Sequence, residues 1–272
     1  MKQDGETTVV SFVSIKGGTG KTNTSILLAR CLESSGKRVL LVDFDLNNSL
    51  SFYFLSETQM EKTKRLNIAK ALNDENNNLR DYAVQTRFPG IDLIASTPYL
   101  ADMRTMNDKR LKRMIPSLKG KYDIVILDCP PTYDNIIINA VNASDHTITP
   151  VLKDTFSYNA ACFLADVLPR DAELKNWHIL INGFNSRFGN ARTGRQKDFV
   201  ELYKKNESFA IMPQATWLPW TSDIHFTIDY RTLLTRNKGT PPGAVYSPDL
   251  HAAISELAGC FFDEELKVPE AF

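Results

Sequence analysis

Short apolar runs alternate with longer amphipathic stretches along this chain of 272 residues. The apolar runs have the length and β-branched content of buried strands, and the stretches between them have helical periodicity. This alternation predicts βαβ units and a doubly wound α/β fold, a mostly parallel sheet with helices on both faces. The predicted strands are Val9–Ile15, Val39–Val42, Ile91–Ile94, Asp123–Leu127, His146–Val151, His178–Ile181 and Phe209–Met212.

The helical stretches complete the alternation, and no repeat or linker interrupts it. We therefore predict a single domain over residues 1–272. A polar stretch at Asn73–Asn78 predicts a surface loop. The predicted helices are Asn23–Ser35, Leu100–Leu118, Ser157–Leu168, Thr193–Lys205 and a last one near Asp249–Cys260.

Composition narrows the classes of partner. Lys plus Arg and Asp plus Glu both number 32, so the formal net charge is zero. A basic field over the whole molecule is excluded, and contact with nucleic acid needs a local patch. The four cysteines lack the spacing of a zinc site or a disulfide framework, and no apolar run reaches the roughly 18 residues of a spanning helix. We therefore predict a cytoplasmic protein with reduced thiols.

The strongest candidate for chemistry follows the first predicted strand. Residues 16–22 read K-G-G-T-G-K-T, and a helical pattern begins directly after them. Glycines let backbone N–H groups turn toward phosphate oxygens, and a helix N-terminus adds positive partial charge. We expect Lys21 to reach the β- and γ-phosphates of a nucleotide and the Thr22 hydroxyl to bind Mg²⁺. The predicted nucleotide-binding residues are Gly17, Gly18, Thr19, Gly20, Lys21, Thr22 and Asn23.

This loop departs from the pattern G-x-x-x-x-G-K-[ST], because Ile15 stands at the first glycine position. Lys16 instead precedes a glycine pair at the mouth of the loop. Two interpretations remain open from the residues alone. Lys16 is either an ordinary solvated lysine, or it points to the nucleotide of a facing subunit and neutralises charge on the transferring phosphoryl group.

Two more predicted strands end in carboxylates. Val39–Val42 runs into Asp43 and Asp45, which strand alternation would place on one face at the carboxyl edge of the sheet. In one division of roles, Asp43 supports the waters of Mg²⁺ and Asp45 orients the attacking water; the alternative is a turn with solvated aspartates. Asp123–Leu127 runs into Asp128, in the position of the second Mg²⁺-site carboxylate of nucleotide hydrolases.

Together these segments resemble the deviant-Walker ATPases of the ParA/MinD group of P-loop proteins. The resemblance rests on the lysine-glycine-glycine loop, on Val42-Asp43-Phe44-Asp45 and on residues 126–131, and it extends over nearly the whole chain. It implies a weak ATPase that uses ATP and Mg²⁺, and a sandwich dimer in which Lys16 reaches the partner's nucleotide. The implied catalytic residues are Lys16, Lys21 and Asp45, the implied metal residues are Thr22, Asp43 and Asp128, and the implied base-site residues are Asn182 and Pro213.

The resemblance also implies DNA partitioning, in which an ATP-bound homodimer binds DNA non-specifically until a ParB-like adaptor stimulates hydrolysis. The chain departs from the family at Leu46-Asn47, where Pro-Gln is usual, and at residues 214–220, which lack the arginines common in partition ATPases. Local basic patches, doubled in a dimer, are then the candidates for DNA contact. They comprise Arg187, Arg192, Arg195, Lys197, Arg231, Arg236 and Lys238, with a further basic run at Lys109–Arg113.

Two alternatives remain open. One is a MinD-like positioning ATPase that works on a membrane or a protein scaffold. Residues 248–272 hold six carboxylates and one lysine, which anionic lipid would repel, so we predict no membrane binding. The other alternative is a nucleotide-gated DNA-binding scaffold with negligible turnover.

Overall fold

The computed structural model describes residues 6–184, 198, 201–203, 205, 210–211, 217–219, 248–262 and 266–269. These residues form the predicted doubly wound α/β fold, with helices on both faces of a mostly parallel sheet. The strands are β1 Thr8–Phe12, β2 Val39–Asp43, β3 Val84–Gln85, β4 Ile91–Ile94, β5 Ile124–Asp128, β6 His146–Val151, β7 Asn176–Phe184, β8 Ala210–Ile211 and β9 Trp217–Pro219. The α-helices are α1 Lys21–Ser34, α2 Ser49–Phe54, α3 Glu57–Thr63, α4 Ile68–Asn73, α5 Arg110–Met114, α6 Asn135–Ala143, α7 Thr155–Asp171 and α8 Pro248–Gly259.

The strand order brings three carboxyl ends together. The sheet runs β3-β4-β2-β5-β1-β6-β7-β8, with β9 also paired to β7, and only β3 is antiparallel to its neighbour among the described pairs. β5 lies between β1 and β2, so that Asp128 is level with both Phe12 and Asp43. Ligands bind at this edge of an open parallel sheet.

Two apolar clusters cover the two faces of the sheet. Alternate residues of β1 enter different clusters, with Phe12 on the face of α1 and α8 and Val9 on the face of α6 and α7. The central strands β1, β2 and β5 are buried along their whole length, which explains their nearly continuous apolar sequences.

Several predicted boundaries were wrong for local reasons. The predicted helix Leu100–Leu118 is divided into a 3₁₀ helix at Pro98–Thr105, α5, and a 3₁₀ helix at Ile115–Leu118. Pro116 explains the second interruption, at the end of α5, because proline has no N–H and clashes with the preceding turn. The short helices α2, α3, α4 and α6 were not predicted, and most of the predicted helix Thr193–Lys205 lies outside the described residues.

Candidate nucleotide site

The loop between β1 and α1 has the backbone of a phosphate site. Gly18 and Gly20 adopt left-handed φ angles of 75° and 94°. Gly20 is the N-cap of α1, and no side chain among the described residues caps this helix. The N–H groups of the first turn are therefore available to an anion, and the phosphate contacts predicted for this loop stay predictions.

Lys21 is the buried cation of this loop. Its Nζ donates to the carbonyl oxygens of Ser14 at 3.0 Å and of Lys16 at 3.4 Å. Burial lowers the pKa of Lys21, while the nearby Asp128 carboxylate acts in the opposite direction. An ammonium group held by two neutral carbonyls gains from exchanging them for phosphate oxygens.

Asn182, near the carboxyl end of β7, holds the same loop through a hydrogen bond. Its Nδ2 donates to the carbonyl oxygen of Thr19 at 2.8 Å. Thr19 is itself buried, with 1% of its surface exposed. Sequence reasoning gave Asn182 only a family role toward adenine, which stays a prediction; its contact with the loop was missed because it joins residues 163 positions apart.

Asp128 is the strongest sign of a metal site. It is 1% exposed, and neither carboxylate oxygen has a hydrogen-bond partner among the described residues. Burial and the neighbouring Asp43 raise the pKa of Asp128 to about 8, opposed by the Thr22 hydroxyl and Lys21. The Thr22 hydroxyl is near enough to Asp128 to favour its ionised form. A buried carboxylate without a partner, beside a threonine hydroxyl, fits a hard cation such as Mg²⁺.

Both carboxylate oxygens of Asp43 accept hydrogen bonds from neighbouring parts of the chain. Its Oδ1 accepts the N–H of Asp45 at 3.0 Å, and its Oδ2 accepts the N–H and hydroxyl of Ser51 at 3.0 and 2.7 Å. Burial raises the pKa of Asp43 to about 6, and the Ser51 contacts oppose that rise. Asp43 thus ties the start of α2 to the turn that carries Asp45. Its predicted action on Mg²⁺ waters stays a prediction.

Asp45 lies two residues beyond the end of β2, and Phe44 N still donates to the carbonyl oxygen of Asp128 at 2.9 Å, so the chain continues along β5 before it turns. The shared face of Asp43 and Asp45 stays a prediction. The Asp45 Oδ1 accepts the backbone and side-chain N–H groups of Asn47 at 3.0 and 2.9 Å. Asp45 is partly exposed and remains accessible to a water molecule.

Lys16 does not point freely outward in this subunit. Its Nζ contacts both carboxylate oxygens of Asp154, at 2.8 and 2.7 Å, and the Ser157 hydroxyl at 3.0 Å. Asp154 and Ser157 belong to the first turn of α7, which sequence reasoning did not connect to the loop. Asp154 was recognisable only as a residue that precedes a predicted helix.

The remaining predicted residues divide into two groups. Most of the basic run at Lys109–Arg113 makes contacts within the chain. Lys109 and Lys112 pair with Glu173 at the surface. Arg110 donates to the carbonyl oxygen of Leu72 and to Asn77. The other predicted positions lie outside the described residues: Pro213, Arg187, Arg192, Arg195, Lys197, Arg231, Arg236 and Lys238.

Comparison with known proteins assigns the family. A family model described as an AAA domain matches residues 7–176. Sporulation initiation inhibitor protein Soj of Bacillus subtilis (strain 168) is 30% identical over 207 residues, covering 72% of this chain and 79% of that protein. Chromosome-partitioning ATPase Soj of Treponema pallidum (strain Nichols) is 28% identical over 196 residues, covering 70% of this chain and 75% of that protein.

A solved structure agrees on the fold. A putative plasmid partition protein from Borrelia burgdorferi B31, bound to AMPPNP, aligns with a TM-score of 0.68 at 23% identity, covering 86% of this chain and 92% of that one. The fold and the loop therefore define a P-loop ATPase. Within that class, the chain belongs to the ParA-type ATPases.

Among the described residues, no helix combines the length and the hydropathy needed to cross a bilayer.

Proposed function

We propose that this protein is an ATP-dependent partition ATPase: an ATP-bound homodimer binds DNA non-specifically, and a ParB-like adaptor stimulates the hydrolysis that releases it. The observation that carries the proposal is a glycine-rich loop with two lysines. They are Lys21, buried at the start of α1, which we assign to the phosphates of its own subunit, and Lys16 at the mouth of the loop. Similarity to a chromosome-partitioning ATPase over 70% of the chain supports the choice of process.

In this proposal the chain's own groups divide the chemistry. The loop N–H groups and Lys21 bind the phosphates, and Asp45 orients the attacking water. Lys16 of each subunit neutralises charge on the phosphoryl group bound to the other. When bound, Mg²⁺ supplies further charge neutralisation on the phosphates, held by the Thr22 hydroxyl and by Asp128.

DNA contact falls to basic residues outside the described part of the chain. The run at Lys109–Arg113 is a weaker candidate because Lys109 and Lys112 both pair with Glu173, whose carboxylate lowers the net charge of the run by one. Affinity for DNA rises steeply with the number of phosphate contacts, so dimerisation alone strengthens binding by doubling each patch. The proposed contacts are Arg187, Arg192, Arg195 and Lys197 in one patch and Arg231, Arg236 and Lys238 in another.

The test is binding of a random-sequence DNA duplex with ATP, ADP or no nucleotide. We expect binding with ATP only, its loss in Lys16→Ala, and its retention in Asp45→Ala, in which hydrolysis stops. Alanine at the four basic positions of the first patch should weaken binding, whereas the matched Lys109→Ala/Lys112→Ala variant should not. Equal binding with and without ATP would refute the proposal.

Simple measurements distinguish the proposed partition ATPase from two alternative functions. A membrane-positioning ATPase would need an apolar helix face for lipid, but α8 buries Leu250, Ile254 and Leu257 in the core. Co-sedimentation with anionic vesicles should therefore show no ATP-dependent binding. Multiple-turnover phosphate release separates the ATPase from a scaffold that binds nucleotide without turnover.

A further inference from the structure

The ammonium group of Lys16 occupies a complete binding site in its own subunit. Three acceptors surround Nζ, the two carboxylate oxygens of Asp154 and the hydroxyl of Ser157, all within 3.0 Å. They match the three N–H donors of a lysine. The side chains of Lys16 and Asp154 are only 26% and 35% exposed, so solvent screens this ion pair incompletely.

Helix α7 holds these acceptors in place without help from Lys16. Asp154 is the N-cap of α7, and its Oδ1 accepts the N–H of Ser157 at 2.8 Å. Ser157 is buried, with 1% of its surface exposed, and its hydroxyl donates to Asp154 Oδ2 at 3.2 Å. The site is therefore rigid and preorganised for a cation.

The backbone of Lys16 is restrained by the nucleotide-binding lysine. Lys21 Nζ donates to the carbonyl oxygen of Lys16. A phosphate that draws Lys21 away loosens the Lys16 backbone, which the Ser14 and Thr19 hydroxyls also contact at 3.4–3.5 Å. The described contacts of the Lys16 side chain are those with Asp154 and Ser157. Nucleotide binding and the position of Lys16 are thereby linked.

We infer that Asp154 and Ser157 form a resting site for Lys16 that competes with the partner subunit's nucleotide, and that Asp154 is a positioning residue which sets the threshold for ATP-dependent dimerisation. The inference rests on the proposed function, in which Lys16 acts across the dimer. One ammonium group cannot satisfy both sites. A symmetric dimer must open two resting sites, one in each subunit. A partly exposed ion pair is worth about threefold in an equilibrium constant, so two give about tenfold.

Asp154→Asn tests this directly, because asparagine keeps the N-cap and removes the charge. We expect the variant, with AMPPNP and Mg²⁺, to dimerise at about tenfold lower protein concentration than the native chain in analytical ultracentrifugation. Asp166→Asn is the matched control, since Asp166 pairs with Arg170 on the exposed side of the same helix. It should dimerise like the native chain. Affinity of the monomer for fluorescent ADP should be the same in all three proteins.

Ser157→Ala provides a second, milder variant, and should shift dimerisation in the same direction by less. If the native chain dimerises with AMPPNP and Asp154→Asn does so at the same protein concentration, the inference is overturned while the proposed function stands. If no variant dimerises with AMPPNP, the proposed function itself fails.

Discussion

The side-chain nitrogen Nδ2 of Asn182 lies beside Gly20, where any other residue would have its Cβ atom. A Cβ built on Gly20 would lie 2.1 Å from that nitrogen. Gly20 also has a φ of 94°, in the left-handed region. Two features favour glycine here: the left-handed backbone conformation, and the side-chain amide of Asn182, which would have to move to admit a Cβ.

Gly20→Ala should abolish nucleotide binding and destabilise the protein by more than conformational strain alone. The left-handed conformation costs an alanine about 1–2 kcal/mol, and the clash with Asn182 adds to it. Gly36→Ala is the matched control, because Gly36 has a φ of 82° and open space around its Cβ position. Isothermal titration with ADP and chemical denaturation measure both effects.

Relief of the clash should be visible in a double variant. Asn182→Ala in the Gly20→Ala background should recover part of the lost stability but not the nucleotide affinity, since the loop then loses its support from β7. Equal ADP affinity in native protein and Gly20→Ala would show that the close approach does not shape the site.

Asp128→Asn should stabilise the nucleotide-free protein at high pH while it abolishes Mg²⁺-dependent hydrolysis. The pKa of Asp128 in the folded protein is raised to about 8 from an ordinary 3.8, so its contribution to stability is complete below pH 4 and is lost as the pH rises through 8. The amide does not titrate. The variant should therefore be more stable than native protein at pH 9, by about 1–3 kcal/mol for an unpaired buried group, and the gap should narrow toward pH 5.

Denaturation at pH 5 and pH 9, without nucleotide, measures this difference, and phosphate release with Mg²⁺ measures the activity. A variant less stable than native protein at pH 9 would mean that the ionised carboxylate supports the fold.

Ser51→Ala should slow hydrolysis more than it weakens nucleotide binding. The change removes the 2.7 Å hydroxyl contact with Asp43 and loosens the turn on which Asp45 sits. We expect a stability loss of about 1 kcal/mol. Single-turnover hydrolysis and ADP titration separate the two effects. Ser49→Ala, at the exposed start of the same helix, should change neither, and equal behaviour of the two variants would contradict this role for Asp43.

Much of the fold and the phosphate loop could be predicted because each rests on local pattern. The apolar runs placed β2 and β5 within one residue, and the predicted helix after the loop began at Asn23, two residues after the start of α1. The six-residue helices α2 and α4 are too short to show a full amphipathic repeat. For α3, the capping pair Ser56 and Gln59 was a visible but unused signal.

The contacts that complete the site could not be predicted, because they join distant parts of the chain. Lys16 meets Asp154 across 138 positions. Alternation is a rule for residues within a strand, and Asp45 lies two residues past the end of β2, so the rule alone does not fix its orientation. A carboxylate at a strand end looks the same in sequence whether it binds a cation or, like Asp43, holds a helix and a turn together.

Acidification should destabilise the protein through a pair of histidines on adjacent strands. His146 and His178 stack with ring centroids 5.8 Å apart, and His146 also packs against Phe261, just beyond α8. Burial, and then the neighbouring His146, lower the pKa of His178 to about 4. Because the unfolded histidine titrates near 6.5, the unfolded chain binds more protons than the folded chain between pH 6.5 and 4. Stability should therefore fall over this window as the pH is lowered.

His178→Gln, which removes the titrating group, should flatten this part of the stability profile in urea denaturation measured from pH 7.5 to 4.5. His251→Gln is the control, because His251 contacts the carbonyl oxygen of Pro269 away from the pair, and its profile should follow that of the native protein. An unchanged slope in His178→Gln would assign the acid sensitivity to other groups. A flattened slope would identify the contact of β6 and β7 with the end of α8 as an acid-sensitive part of the fold.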